Sequence, residues 1–101
     1  MANYYCVNSG DLFINGEIKE LSVNNGTDLK IQAVGSGSYK LVGKLTKDSE
    51  YSTITVVGLN GLPVKDSIDD SDIYVADVSG LYSVSVSDVS GFEKIYAKIG
   101  G

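Results

Sequence analysis

The sequence contains no histidine, no arginine and no tryptophan, one cysteine and one proline in 101 residues. Without histidine the commonest general base is missing, and with it the Ser-His-Asp and Cys-His arrangements of nucleophilic catalysis. Transition metals lose their best nitrogen ligand for the same reason. Without arginine the chain has no bidentate fork for phosphate or guanine. Its eight basic residues, Lys19, Lys30, Lys40, Lys44, Lys47, Lys65, Lys94 and Lys98, form no stripe along the sequence. Formal net charge is -5, so the long-range field repels nucleic acid and anionic lipid, and neither is expected as a partner. Cys6 has no second cysteine to bond, which agrees with a reducing compartment. No apolar run reaches bilayer-spanning length. The opening "MANYYCVNSGDLFING" lacks the basic and apolar regions of a secretory signal, so synthesis and first folding in a cytosol are expected.

What is present is strand-forming. Hydrophobic residues make up 43% of the chain and charged residues 21%, the balance of a sequence that folds, and its length suits one domain over residues 1–101. No window sustains the i, i+3, i+4, i+7 apolar spacing of a helix. "ANYYCV" reads as a strand, and "LFINGEIKEL" as a hairpin turning on Asn15-Gly16, the pair that supplies two positive φ angles. "NNGTD" reads as a further turn; its Asn25–Thr27 sequon is taken as turn chemistry. In "LKIQAV", Leu29, Ile31 and Ala33 fall on one face and Lys30 and Gln32 on the other, the period of a half-buried strand. "GSGS" at 35–38 is expected to end it; with no strand-loop-helix context its Gly-x-Gly gives no support for phosphate binding. "YKLVGKLT", "STITVVGL", "IYVADV", "LYSVSVS" and "EKIYAKI" follow, a polar connection from Pro63 to Asp72 lying before the last three. About eight short strands at this spacing predict an all-β fold, an antiparallel β-sandwich of Ig-like or jelly-roll-like kind.

The four letters DVSG occur twice, at Asp77–Gly80 and Asp88–Gly91. Asp caps a turn through its own side chain and Gly takes a left-handed backbone, so both copies read as turns re-entering the sheet. Between them Tyr82, Val84 and Val86 are expected to face the core, and Ser83, Ser85 and Ser87 to form a wet or partner-facing surface. Cys6, in a strand, is expected to be a buried, inert thiol. Tyr4 and Tyr5 must point to opposite faces if extended, and Tyr74 alternates with Ile73 and Val75 in the same way, which places tyrosines off the core for contact with protein or sugar.

Asp66, Asp69, Asp70 and Asp72 are the densest cluster of hard oxygen ligands. Counting from Asp66 or Asp70 finds neither the sixth-position Gly nor the twelfth-position Glu of an EF-hand, so a solvated acidic loop is expected rather than a calcium site. Neighbouring Asp69 and Asp70 diverge in extended chain, which argues against a paired-carboxylate hydrolase. No catalytic residue, cofactor or metal ligand is assigned.

"SDIYVADVSGL", "YSVSVSDVSGF" and "EKIYAKI", preceded by "YKLVGKLTKDSEYSTI", together resemble small β-sandwich proteins found among the virion structural proteins of tailed bacteriophages and prophages. The resemblance covers roughly Tyr39 to Ile99. It implies a non-enzymatic virion component, a capsid decoration, tail or fibre part made in the host cytoplasm, with other virion proteins and copies of itself as partners. The alternative from another class is a carbohydrate-binding or adhesive module with surface glycan as its ligand.

Overall fold

The structure, a computed structural model, describes residues 6–101. Tyr4 and Tyr5, and the start of the first expected strand, lie outside the described residues. Among the described residues there are nine strands: β1 (Cys6–Ile14), β2 (Glu17–Ile18), β3 (Leu21–Ser22), β4 (Asp28–Lys44), β5 (Ser52–Thr53), β6 (Val56–Gly58), β7 (Val64–Lys65), β8 (Tyr74–Asp77) and β9 (Ser83–Gly100). All pairings are antiparallel, in the order β2-β1-β9-β4-β8-β6-β7, with β3 added to β9 and β5 to β4. No helix occurs among the described residues. The architecture is therefore all-β and antiparallel.

The strands differ in length from the expected short set. β4 runs 17 residues and β9 runs 18, because two expected strand ends are instead bulges within strands. At "GSGS" the chain kinks through Gly35 (φ 106°) and Gly37 (φ 154°) and continues. The second DVSG does the same through Asp88 (φ 52°) and Gly91 (φ 85°). The two irregular stretches meet: pairing between β4 and β9 slips around Gly35, Ser38 and Lys40 opposite Phe92 to Ser87. A bulge bends a strand and increases its twist without ending it. A Cβ on Gly37 would lie 1.7 Å from the Ser90 carbonyl oxygen, so only glycine allows the strands to approach this closely. Asp77–Gly80 is a true turn. There the Asp77 carboxylate accepts from the Ser79 N–H at 2.9 Å, and the Leu81 N–H bonds the Val78 carbonyl at 3.1 Å.

The bend makes one sheet enclose one core. Leu29, Ile31, Ala33, Ile95, Ala97 and Ile99 precede or follow the bulges on one side, and Leu41, Val84 and Val86 lie on the other; all are buried in a single cluster with Leu12, Leu21 and Val78. Each fully buried aliphatic side chain contributes roughly 1.5–3 kcal/mol by leaving water. Tyr39 and Phe92 fill the fold line itself, edge to face at 5.5 Å and 76°. The Asn15-Gly16 hairpin forms as expected, with φ 54° and 82° and Phe13 opposite Ile18.

Three expectations about exposure are corrected. Tyr74 is buried, at 1% exposure, with its phenol donating to the part-exposed Asp70 of the acidic loop. Tyr82 is 43% exposed rather than core, lying just ahead of β9, which begins at Ser83. Cys6 is exposed, lying opposite Gly100 ahead of a register slip that offsets the start of β1.

Candidate functional site

The serine side of β9 is not a free surface. Ser83 and Ser85 are buried, because the segment after the first hairpin and Tyr51 lie across them. The Ser85 hydroxyl donates to the Lys19 carbonyl at 2.6 Å, and the hydroxyls of Tyr51 and Ser83 are bonded at 3.2 Å. Ser87 is half-buried. Alternation assigned these serines to one face correctly; what covers that face comes from residues 32 and 66 positions away, which no local pattern displays.

The cover carries a polar cluster on the surface. The Lys44 ammonium sits 4.7 Å from the centre of the Tyr51 ring and 5.9 Å from that of Tyr82. It also lies 3.9 Å from the Glu20 carboxylate and donates to the Lys47 carbonyl at 3.3 Å. The Tyr51 hydroxyl donates to Glu20. Burial, then the bond to Glu20, raises the Tyr51 pKa above its ordinary value, so the phenol remains a donor. A cation between two aromatic faces is stabilised by their negative quadrupoles. The arrangement fixes two part-exposed rings beside one carboxylate and one ammonium. It is suited to stacking and hydrogen bonding with a partner.

A second cluster occupies the acidic loop. Lys65 bonds Asp69 at 2.7 Å and Asp70 at 3.1 Å. Asp70 also accepts from the Tyr74 hydroxyl at 2.8 Å and from the N–H of Asp72 at 3.0 Å, while Asp66 accepts from Thr55 at 2.7 Å. Burial opposes ionisation of Asp70, but the bonds from Tyr74, the Asp72 N–H and Lys65 outweigh it and hold its carboxyl below the ordinary value. Lys65 is correspondingly raised by Asp69 and Asp70. Asp69 and Asp70 thus share Lys65, Asp66 takes Thr55, and Asp72 contributes its backbone N–H to Asp70. Among the described residues no group of three or more His, Cys, Asp or Glu is placed to hold a metal ion. Tyr74, expected at the surface, is the residue sequence reasoning missed here; its spacing of four from Asp70 was the available signal. Beside the loop is an open cleft of about 520 Å³ that includes Gln32, Leu59, Leu62, Pro63 and Ile73.

No protein-family model and no curated protein matches the sequence. The fold, however, is shared with solved structures. The chain has the fold of a prophage-derived protein. SPBc2 prophage-derived protein YomS superposes with a TM-score of 0.75 at 17% identity, over 93% of this chain and 92% of YomS. PBSX exported protein XepA superposes with a TM-score of 0.78 at 14% identity, over 93% of this chain. The chain spans 37% of XepA's length, so the same fold stands nearly alone in YomS and as one part of a longer chain in XepA.

Proposed function

We propose that the protein is a non-enzymatic structural component of a phage or prophage particle, a capsid decoration, tail or fibre part, that works by binding other virion proteins and copies of itself. The observation that carries this reading is the near end-to-end correspondence with YomS. The part-length match to XepA adds that the fold is reused as a unit. The physical character fits: long bulged strands make a rigid body, and the surface clusters offer rings and fixed charges for contact. The protein is made in the host cytoplasm and ends in the virion. The test is quantitative mass spectrometry of density-gradient-purified particles from a lysogen carrying the gene, compared with a deletion strain. The protein is expected in fixed ratio to the major virion proteins; recovery only in the soluble fraction would refute the reading.

The part-exposed rings of Tyr51 and Tyr82 favour a second reading, a carbohydrate-binding or adhesive module in which pyranose faces stack on tyrosine. A glycan array separates the two. Saturable binding lost in Tyr82→Ala supports the second, and an empty array removes it.

A further inference from the structure

Between β6 and β7 the chain makes a tight turn that displays leucine. The Gly58 N–H donates to the Pro63 carbonyl at 3.0 Å, the Gly61 N–H to the Gly58 carbonyl at 2.8 Å, and the Leu62 N–H to the Asn60 side chain at 3.0 Å. A Cβ on Gly58 would lie 2.0 Å from the Leu62 carbonyl oxygen, so glycine lets the turn fold back onto its strand. Held this way, Leu59 and Leu62 are 61% and 69% exposed, with Val64 exposed beside them. Across the 520 Å³ cleft stand Ser71, Asp72 and Ile73, and this wall is fixed too. The Ser71 carbonyl accepts from Gln32 at 3.3 Å, and the Asp72 N–H is bonded to Asp70. Adjoining exposed apolar side chains with a polar rim mark contact sites, and a frame already hydrogen-bonded spares a partner the cost of ordering it.

We propose that this cleft docks a segment of another virion protein that carries apolar side chains next to lysine or arginine. The apolar side chains fill the space between Leu59, Leu62 and Ile73, and the basic ones meet the acidic loop. Charge decides the partner. In that loop Asp66, Asp69, Asp70 and Asp72 stand against the one ammonium of Lys65, which Asp69 and Asp70 already hold. Asp72, at the cleft itself, is exposed and has no ion pair among the described residues. A second copy offers no basic patch in return: Lys40, Lys44 and Lys94 are in ion pairs, and Lys30 and Lys98 have contacts of their own. Lys19 and Lys47 lie next to Glu20 and Asp48 in the sequence. A two-fold contact through the cleft would also bring acidic loop near acidic loop, and like charges facing each other exclude a partner. The inference rests on the assembly reading above and names a surface and the chemistry it takes.

The test is photo-crosslinking in the assembled particle. A benzophenone amino acid replaces Leu62 in one strain and Leu45, which is as exposed on a different turn, in another. Purified particles are illuminated and the joined peptides sequenced by mass spectrometry. The Leu62 probe is expected to join one segment of a different virion protein, with apolar residues and lysine or arginine together; the Leu45 probe should not join that segment. In parallel, Leu59→Ser with Leu62→Ser, and separately Asp72→Lys, should lower the amount of protein per particle about tenfold, while Asp72→Glu keeps it. Circular dichroism checks that these exposed positions leave the fold intact; if the double variant unfolds, Leu62→Ser alone replaces it. Particles that contain the protein yet give no Leu62 crosslink, a crosslink to a second copy or to an acidic segment, or native amounts of the Asp72→Lys variant would overturn the cleft and leave assembly in place. Particles that lack the protein would overturn the assembly reading instead. Illumination of induced cells then decides the cleft by the same criterion: an identified apolar and basic segment sustains it, and none overturns it.

Discussion

Replacing Tyr39 by phenylalanine should stabilise the protein, although it removes a polar group from the core. Tyr39 is fully buried, and its backbone is committed to a bridge with Ile68 through bonds of 2.9 and 2.8 Å. Its hydroxyl has no hydrogen-bond partner. Burial, with Asp70 and Tyr74 nearby, pushes the phenol pKa far above its ordinary value, so the group stays neutral and cannot relieve its position by ionising. Phenylalanine keeps the ring and its edge-to-face contact with Phe92. An unsatisfied buried hydroxyl costs about 1–3 kcal/mol; allowing for the small gap left behind, the variant should gain about 1 kcal/mol. For a domain of this size that is an increase of about 4–8 °C in Tm. Urea unfolding followed by far-UV circular dichroism measures it, with an unchanged slope showing that the unfolded state is the same. A loss of about 1 kcal/mol or more would refute the reasoning, because it would mean that the hydroxyl is bonded, through an internal water for instance.

The opposite response is expected at Gly37: an alanine Cβ would meet the Ser90 carbonyl oxygen at 1.7 Å on a backbone with φ 154°, so Gly37→Ala should cost about 2–4 kcal/mol. An unchanged melting temperature would show that the two bulges are not in close contact. Asp70→Asn should lower stability at neutral pH by about 1 kcal/mol, its part-exposed site being screened by solvent. Because the folded carboxyl is held below its ordinary value, this contribution is complete above the unfolded pKa and disappears as pH falls through the folded one. Native and variant stabilities measured down the acid limb should therefore converge; a constant gap would assign the loss to packing. Ser85→Ala should cost about 1 kcal/mol by leaving the Lys19 carbonyl unpaired, with faster amide exchange in the first hairpin; no change in either would show that Ser85 does not hold that segment.

Local signals were legible wherever a few adjacent residues fix the backbone. Asn15-Gly16 dictated its hairpin, Asp77–Gly80 its turn, and the alternation of "LKIQAV" its buried and exposed faces. "GSGS" and the second DVSG misled because positive φ angles serve bulges and chain reversals alike; which one forms depends on whether a neighbouring strand continues the ladder. The two stretches do so for each other, across roughly fifty residues of sequence. The acidic cluster was visible as composition, but its division among Lys65, Tyr74 and Thr55 was not.

The sequence by itself determined that this chain is an antiparallel β protein, because period-two patterning and turn residues leave no other way to bury its apolar side chains. Histidine's absence and the acidic balance were equally plain, since they are properties of composition. Tertiary structure alone decided which side chains meet a partner. It buried Ser83 and Ser85 under a distant segment, drew Tyr74 inward to Asp70, and fixed Lys44 between Tyr51 and Tyr82. These are outcomes of long-range packing: a side chain's environment is set by strands that pair across the fold, and pairing depends on the whole sheet closing around one core.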